Sequence, residues 1–261
     1  MLKNRFLLNK INFMNIFKSF VINIKNGFLN LIYPKHIKCI FCGEEIELNN
    51  SFDSCENCIN TLPIINTDYC YRCGGKREKD AVGVCLNCKI NNFDFDFARS
   101  VFEYNDKLIP TIHKLKFGGG KYLVKPLSFY LYSKLKTLDW KIDLITFVPM
   151  YTKRQKERGY NQAEELAKEL SKLINIKCEP MFTKIKDTKE QAKLSGKERR
   201  TNLKDSFKLI YKDIAGKNIL IVDDVYTTGA TSNELARLIK DKSNNIYILT
   251  LAHSKIDETN V

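Results

Sequence analysis

The sequence predicts an α/β protein in which a parallel sheet flanked by helices follows a small N-terminal cysteine-rich module. Two observations support this prediction. Eight of the nine cysteines lie in four C-x-x-C pairs within fifty residues, and from about residue 93 short apolar runs alternate with helix-like stripes. We therefore divide the 261 residues into a basic amphipathic N-terminal arm (1–35), a double zinc ribbon (36–92) and an α/β domain (93–261).

The composition allows a packed core and excludes a wholly disordered chain, since 44% of the residues are apolar and 28% are charged. The formal net charge is +13, but lysine outnumbers arginine 34 to 9, as in chains encoded by AT-rich genomes. The charge total therefore does not by itself indicate DNA binding. The surplus is concentrated in two stretches, because residues 1–38 carry seven basic and no acidic side chains, and residues 151–208 carry a net +7.

The N-terminal arm has short apolar stretches that are interrupted by Lys10, Lys18 and Lys25. No stretch approaches the roughly 20 residues of a membrane span, and no small-residue cleavage site follows, so we expect a cytoplasmic protein. A basic amphipathic arm suits contact with a membrane surface or a polyanion. Met14 is an alternative start, which leaves the place of the arm in the protein open.

The C-x-x-C pairs predict two structural zinc sites. Their ligands are Cys39, Cys42, Cys55, Cys58, Cys70, Cys73, Cys85 and Cys88. Two thiolates on a tight turn reach one ion at about 2.3 Å, and a second pair completes the tetrahedron. A disulfide framework is the alternative, but it requires export. Tandem pairing (first four cysteines, then last four) is the simpler arrangement, and cross-braced pairing (first pair with third, second with fourth) stays open.

The ribbon is predicted to act as a structural staple or docking module. A segment of this size buries too little surface to fold alone, so the metal must supply folding free energy. Residues 39–92 carry five basic and eight acidic side chains, and each tetrathiolate–zinc centre adds further negative charge. An acidic ribbon is a poor surface for DNA.

The α/β domain is predicted from its alternating patterns. The candidate strands are 97–104, 143–148, 219–222 and 246–251. One helix follows the candidate cap Asn161, with Glu164 three residues later and an apolar stripe at Leu166, Leu170, Leu173 and Ile174. A second helix has Leu235, Leu238 and Ile239 facing inward. Strands that alternate with helices indicate a parallel sheet.

Residues 219–231 predict a binding site for a sugar phosphate. A buried strand ends in Asp223 and Asp224, and a loop of small and hydroxyl residues then opens a helix. The loop consists of Thr227, Thr228, Gly229, Ala230 and Thr231. Thr231 is a candidate helix cap, with Glu234 completing a capping box. Backbone N–H groups at a helix N-terminus bind phosphate, and a ribose diol placed between acids and phosphate relieves their repulsion. The alternative is a turn with an incidental acid pair.

The same residues resemble the phosphoribosyl-diphosphate (PRPP) signature of type I phosphoribosyltransferases. From about Leu31 to Leu251 the chain resembles the ComF/GntX-like family, which is linked to bacterial competence and DNA utilisation. The matching motifs are L-I-Y-P before the ribbon, I-H-K-L-K-F-G-G at 112–119, V-P-M at 148–150, R-G-Y-N-Q at 158–162 and Q-A-K-L-S-G-K-E-R-R-T-N-L at 191–203. The resemblance implies a type I phosphoribosyltransferase fold that binds PRPP with Mg²⁺.

The resemblance also implies individual roles. Asp223 and Asp224 would hold the ribose hydroxyls, and residues 227–231 would hold the 5-phosphate. A loop over 149–160 would face the pyrophosphate, with Lys153, Arg154, Lys156 and Arg158 suited to the diphosphate and its Mg²⁺. Residues 186–203 would form a lid, and the segment 113–119 a hood that selects the acceptor. Where many relatives read V-P-V-P-L-H, residues 146–151 read T-F-V-P-M-Y and lack a proline and a histidine.

Two functional classes follow from the sequence. The first is a Mg²⁺-dependent phosphoribosyltransferase with an unknown acceptor, in which charge stabilisation and positioning suffice and no covalent nucleophile is needed. The second is a non-catalytic PRPP-fold module that contacts single-stranded DNA or DNA-uptake proteins. His36, His113, His253 and Cys178 are interpreted as core or surface residues.

Overall fold

The computed structural model describes residues 38–46, 52–77, 83–117, 119–188, 203–211 and 213–254. Its helices are α1 (Glu56–Thr61), α2 (Leu86–Ile90), α3 (Ile109–Lys116), α4 (Val124–Lys136), α5 (Thr152–Arg158), α6 (Gln162–Ile174) and α7 (Ala230–Arg237), and a 3₁₀ helix spans Gly120–Leu123. Its strands are β1 (Phe97–Glu103), β2 (Leu144–Phe147), β3 (Phe182–Lys184), β4 (Phe207–Leu209), β5 (Ile219–Tyr226) and β6 (Ile246–His253). The predicted arm and most of the predicted lid lie outside the described residues.

The main sheet is parallel and has the order β1-β6-β5-β2, which confirms the predicted α/β class. All four candidate strands belong to this sheet. β5 continues through the two acids to Tyr226, and β6 continues to His253, because each remains paired with its neighbour to that point. A separate antiparallel pair, β3 and β4, lies beside the sheet.

Both faces of the sheet are buried, as its continuous apolar strands require. Side chains alternate along β5, so that Leu220 and Val222 pack on one face while Ile219 and Ile221 pack on the other. Helices α4 and α6 contribute residues to the first face, and α7 contributes to the second. The carboxyl ends of the strands are thereby fixed between two packed layers.

The predicted N-terminal cap is confirmed for helix α6 but not for helix α7. The Asn161 side chain caps α6 by accepting a hydrogen bond from the backbone N–H of Ala163 at 3.1 Å, as predicted. The predicted cap at Thr231 is wrong, because α7 begins at Ala230 and its N-cap is Gly229, two residues before Thr231. Glu234 accepts instead from the backbone N–H of Asp205, so no capping box forms there.

The ribbon packs against the edge strand β1. The backbone N–H of Ile65 donates to Val101 at 2.9 Å, and that of Ala98 donates to Arg72 at 2.7 Å. Ile40 of the first half belongs to the core on the α4 side, whereas the cysteines of the second half belong to the opposite core. The ribbon therefore covers an edge that would otherwise expose unpaired backbone groups.

Helices capable of spanning a membrane are not found in the part of the chain that the structure describes.

Candidate functional site: two cysteine clusters and a cavity at the carboxyl end of the sheet

The eight paired cysteines form two separate clusters in tandem. One cluster contains Cys39, Cys42, Cys55 and Cys58, and the other contains Cys70, Cys73, Cys85 and Cys88. The ligand atoms within each cluster lie within 4.8 Å of one another. Tandem pairing is thus the arrangement that the fold adopts, and cross-braced pairing is not.

The geometry of both clusters fits tetrahedral zinc. The sulfur atoms of Cys42 and Cys55 are 3.6 Å apart, and those of Cys73 and Cys85 are 3.7 Å apart. A tetrahedron with Zn–S bonds of about 2.3 Å has edges of about 3.8 Å. In each cluster a backbone N–H points at a sulfur, with Cys58 donating to Cys55 and Cys85 donating to Cys70. Such bonds orient thiolate ligands and complete a structural site.

A cavity of about 610 Å³ opens at the carboxyl ends of β2 and β5. The predicted site residues that line it are Asp223, Asp224, Arg154, Arg158, Thr227, Gly229 and Thr231. Thr228 and Ala230 belong to the same loop but are not lining residues, and Lys153 and Lys156 lie exposed on α5. The cavity thus brings the acid pair, part of the loop and two arginines together.

Asp224 is buried and held from two sides. Its Oδ2 accepts a hydrogen bond from Nε2 of Gln162 at 2.6 Å and lies 3.3 Å from Nζ of Lys116. Burial by itself would lower the pKa of Lys116, but the carboxylates of Asp224 and Asp223 outweigh it and the net pKa is raised. Lys116 is therefore a stable ammonium inside the cavity.

Asp223 has a different environment from its neighbour. Its Oδ1 accepts from the backbone N–H of Asp224 at 2.8 Å. Burial and the adjacent Asp224 carboxylate raise the pKa of Asp223 to about 8, despite the nearby ammonium groups of Lys116 and Lys184. A carboxyl group with this pKa is poised to bind a hydroxyl group or a cation that restores its charged form.

The loop between β5 and α7 has the form of an anion cradle. Gly229 adopts the left-handed conformation at φ 79°, and a side chain there would collide with the Tyr226 ring beneath it. Oγ1 of Thr228 accepts from the backbone N–H of Ala230 at 3.4 Å. The small residues leave the first turn of α7 open to a ligand, and the positive end of a helix favours an anion there.

Helix α5 decides which basic side chains reach the cavity. The sequence predicted a loop over this segment, but residues 152–158 form a helix. Arg154 and Arg158 are four residues apart and share the face that lines the cavity, whereas Lys153 and Lys156 point elsewhere. Nε of Arg154 lies 3.3 Å from Oδ1 of Asp187.

The mouth of the cavity combines an aromatic ring with a cation. The guanidinium of Arg158 lies over the Phe117 ring, 4.6 Å from its centroid, and the His113 ring is 5.0 Å away on a tilted plane. Phe117 is 48% exposed although it lines the cavity. Nη1 of Arg158 also donates to Oε1 of Gln162 at 2.9 Å, which links the mouth to the acid pair.

Several polar residues of the cavity have no role in the sequence-based prediction, among them Lys116, Gln162 and Lys184. Lys116 and Gln162 lie inside motifs that were recognised, K-F-G-G and R-G-Y-N-Q, but neither was assigned a role. Lys184 had no sequence signal, because it stands on the short strand β3. Burial and the nearby Arg154 lower the pKa of Lys184 to about 8.

Comparison with known proteins agrees with the two parts of the fold. The family model for a double zinc ribbon domain matches residues 28–89, and the model for a phosphoribosyl transferase domain matches residues 156–259. Among solved structures, an adenine phosphoribosyltransferase is 18% identical, with a TM-score of 0.33 over 54% of this chain and 75% of that one.

Curated relatives match over longer stretches. Competence protein F of Haemophilus influenzae is 31% identical over 215 residues, which cover 78% of this chain and 91% of that protein. The DNA utilization protein YhgH of Escherichia coli K12 is 34% identical over 146 residues, or 54% of this chain and 64% of that protein. With its tandem cysteine clusters, its parallel sheet and its phosphoribosyltransferase domain, the chain belongs to the ComF/GntX-like family.

Proposed function

We propose that the cavity binds PRPP together with Mg²⁺ and that the protein acts in bacterial competence or DNA utilisation in the cytoplasm, where thiols stay reduced. The observation that carries the proposal is the arrangement at the end of β5. There, Asp223 and Asp224 line the same cavity as the loop residues Thr227, Gly229 and Thr231. An acid pair beside a phosphate cradle suits a ligand that carries a diol next to a phosphate.

Both acids hold the ribose hydroxyls in this proposal, but their surroundings differ. Asp223 accepts hydrogen bonds from the ribose hydroxyls, and binding of the diol favours its ionised form. Asp224 shares this task while Lys116 and Gln162 hold its carboxylate in place. The loop from Thr227 to Thr231 receives the 5-phosphate through backbone N–H groups and hydroxyls.

The diphosphate lies toward α5 in this proposal. Arg154 and Arg158 line the cavity and supply the nearest guanidinium groups, and Lys184 adds an ammonium group from β3. Lys153 and Lys156 are exposed and contribute to the surrounding positive field. Bound Mg²⁺ would neutralise charge on the leaving diphosphate, keeping several waters and using phosphate oxygens as ligands.

We infer that the reaction, when an acceptor is present, is a substitution at the ribose anomeric carbon. The C1–O bond breaks and its electron pair leaves with the diphosphate. A nucleophilic atom of the acceptor supplies the pair for the new bond to C1 and then loses a proton. Arg154 and Arg158 would stabilise the charge that develops on the leaving group.

Calorimetric titration with PRPP and Mg²⁺ tests the binding proposal. We expect saturable binding to the wild type that requires Mg²⁺ and is abolished in the double variant Asp223→Ala/Asp224→Ala. Lys153→Ala is a matched control, because this side chain is exposed and lies outside the cavity. A wild-type protein that shows no heat of binding at millimolar PRPP would refute the proposal.

A pyrophosphate-release assay separates an enzyme from a binding module. The protein is incubated with PRPP, Mg²⁺ and, in turn, nucleobases, amines and single-stranded DNA. Release that depends on one acceptor and is lost in Asp223→Ala/Asp224→Ala identifies a transferase. Binding of PRPP without release for any acceptor class favours the non-catalytic alternative.

The second candidate function is binding of single-stranded DNA or of DNA-uptake proteins. The exposed Phe117 ring with Arg158 over it favours this function, since stacking platforms beside cations bind single strands. We expect Phe117→Ala to weaken binding of an oligonucleotide by about 1–3 kcal/mol. Tyr122→Ala, at an exposed aromatic residue that does not line the cavity, is the control.

The predicted N-terminal arm is tested by the salt dependence of DNA binding. If its basic residues contact phosphates, deletion of residues 1–30 lowers the slope of log affinity against log salt. An unchanged slope removes the arm from DNA binding. Binding of the full chain, but not of the deleted chain, to anionic vesicles would assign the arm to a membrane surface.

A further inference from the structure

The two halves of the ribbon share one backbone design. In the first half the N–H of Cys39 donates to the carbonyl of Glu44 at 2.7 Å, and in the second the N–H of Cys70 donates to Gly75 at 2.8 Å. Glu44 and Gly75 thus occupy equivalent positions after the C-x-x-C-G motif. Glu44 is exposed, whereas the second half has no side chain at this position.

Gly75 is explained by a ring that packs against it. A Cβ atom at Gly75 would lie 2.6 Å from Cε1 of His253, which is closer than van der Waals contact allows. Gly75 does not have a positive φ, so its backbone alone would accept any residue. The glycine is therefore needed because the ribbon and the end of β6 approach each other closely at this point.

His253 in turn packs on Tyr226, the last residue of β5. The two rings stack with centroids 4.8 Å apart and an interplanar angle of 25°. They are 5% and 2% exposed, respectively. The backbone N–H of Ser254 also donates to the Tyr226 carbonyl at 2.8 Å, which fixes the ends of the two strands together.

Tyr226 then reaches the phosphate loop. A Cβ atom at Gly229 would lie 2.2 Å from the Tyr226 hydroxyl, so this hydroxyl lies directly against the N-cap residue of α7. Tyr226 also lines the cavity. Within the described part of the chain, its hydroxyl and Nε2 of His253 have no hydrogen-bond partner. The contact of Tyr226 with Gly229 is therefore steric rather than hydrogen-bonded.

We propose that Gly75, His253, Tyr226 and Gly229 form a packed stack through which the second cysteine cluster sets the conformation of the phosphate loop. His253 and Tyr226 are positioning residues in this scheme. The second half of the ribbon is then part of the ligand site rather than a remote staple. The effect of the stack on PRPP affinity rests on the proposed function. The coupling between the second cysteine cluster and the phosphate loop does not, because it is a property of the ligand-free protein.

Among the residues that the structure describes, no corresponding connection leads from the first cysteine cluster. Glu44, the equivalent of Gly75, has an exposed side chain, and the neighbouring Ile40 packs into the core on the opposite face of the sheet. The second cluster instead shares one core with Phe93, Phe95, Tyr226 and Ala230. Phe93 itself contacts the position of Gly229. The stack thus predicts an asymmetry between two clusters of the same chemistry.

The decisive comparison is Gly75→Ala against Glu44→Ala. Both place alanine at the same position of a ribbon half, but only Gly75→Ala pushes on His253. We expect amide hydrogen exchange of residues 227–231 to accelerate on the order of tenfold in Gly75→Ala, equivalent to about 1.4 kcal/mol. Glu44→Ala should match the wild type, and exchange in α6 should be unchanged in both. Equal loop exchange in all three proteins would overturn the proposal.

A double-mutant cycle with His253→Ala tests whether Gly75→Ala acts through the His253 ring or through a general loss of folding. Removing the ring makes room for the new methyl group, so in the His253→Ala background Gly75→Ala should have no further effect on loop exchange. Effects that simply add would show that Gly75 does not act through His253 and would overturn the stack.

PRPP affinity of the same variants separates this inference from the proposed function. If the wild type binds PRPP, Gly75→Ala binds it on the order of tenfold more weakly and Glu44→Ala binds it equally well, both the PRPP site and the stack are supported. Equal PRPP affinity of the wild type, Gly75→Ala and Glu44→Ala would refute the proposed stack but would still support the PRPP site. No binding to the wild type, with accelerated loop exchange in Gly75→Ala, refutes the PRPP site and retains the stack.

Discussion

The ammonium of Lys116 lies 3.3 Å from the carboxylate of Asp224, and this ion pair joins helix α3 to the carboxyl end of β5. Gln162 from α6 donates to the same carboxylate oxygen at 2.6 Å. Three elements that are distant in sequence therefore meet at one acid of the PRPP signature. The other acid, Asp223, is left with a raised pKa beside the open cavity.

Replacing Lys116 by methionine should destabilise the protein. The buried Asp224 would lose one of two partners, which costs about 1–3 kcal/mol. Denaturant unfolding measures the loss, and Lys114→Met is the control because Lys114 is exposed on the same helix. Equal stability of the two variants would mean that the ion pair does not hold α3 in place.

Asp223→Asn should abolish PRPP binding while it stabilises the ligand-free protein. Near neutral pH the Asp223 carboxyl must take up a proton when the chain folds, and an amide avoids this cost. The amide cannot, however, provide two acceptor oxygens to a diol. Each kcal/mol gained raises the melting temperature by about 2–4 °C for a domain of this size. Calorimetric titration and thermal unfolding give the two readouts. A lowered melting temperature would contradict the expected gain.

The stability of the ligand-free wild type should decrease as pH rises toward 8. The pKa of Asp223 is about 8 in the folded protein, against an ordinary value of 3.8, and Asp224, Lys116 and Lys184 face it. Between these values the unfolded chain has released this proton and the native chain still binds it, so stability falls with increasing pH. The slope should be measured above ~pH 6, where thiolate sites retain zinc, and it should be smaller in Asp223→Asn.

Arg154→Ala and Lys156→Ala should differ although both remove one positive charge from α5. Arg154 lines the cavity and Lys156 is exposed. We expect about a tenfold loss of PRPP affinity in Arg154→Ala, and about a twofold loss or less in Lys156→Ala through the general field. Similar losses would show that only net charge matters.

The two clusters predict distinct metal-binding variants. Cys58→Ser and Cys88→Ser should each leave one intact cluster and lower the zinc content by one ion per chain, because each cluster has four ligands. Cys178→Ser should keep the wild-type content, since Cys178 belongs to neither cluster. Inductively coupled plasma mass spectrometry measures this. Of the two cluster variants, Cys88→Ser should perturb the phosphate loop more strongly.

Much of the fold follows from local sequence. The C-x-x-C pairs specify two clusters because thiolates on tight turns are preorganised for one ion. Apolar runs such as 219–222 and 246–251 predict buried strands, since both faces of a parallel sheet are covered. The acids and the small residues after β5 mark the site because they follow one strand directly. All of these signals depend on residues that are close in sequence.

Other features depend on contacts between distant segments and could not be predicted from such patterns. The helical face that separates Arg154 from Lys153 and the reach of Lys116 to Asp224 are set by how the elements pack. Tandem pairing of the cysteines was the simpler expectation, but the spacing left cross-braced pairing open until the fold decided between them. Gly75 is the sharpest example. No role follows for it from the neighbouring residues, and only the packed structure places it against His253, which explains the absence of a side chain. The order of amino acids sets which chemical groups the protein carries, and tertiary packing sets which of them meet. Side chains from separate segments come into contact only when the cores on the two faces of the sheet are formed.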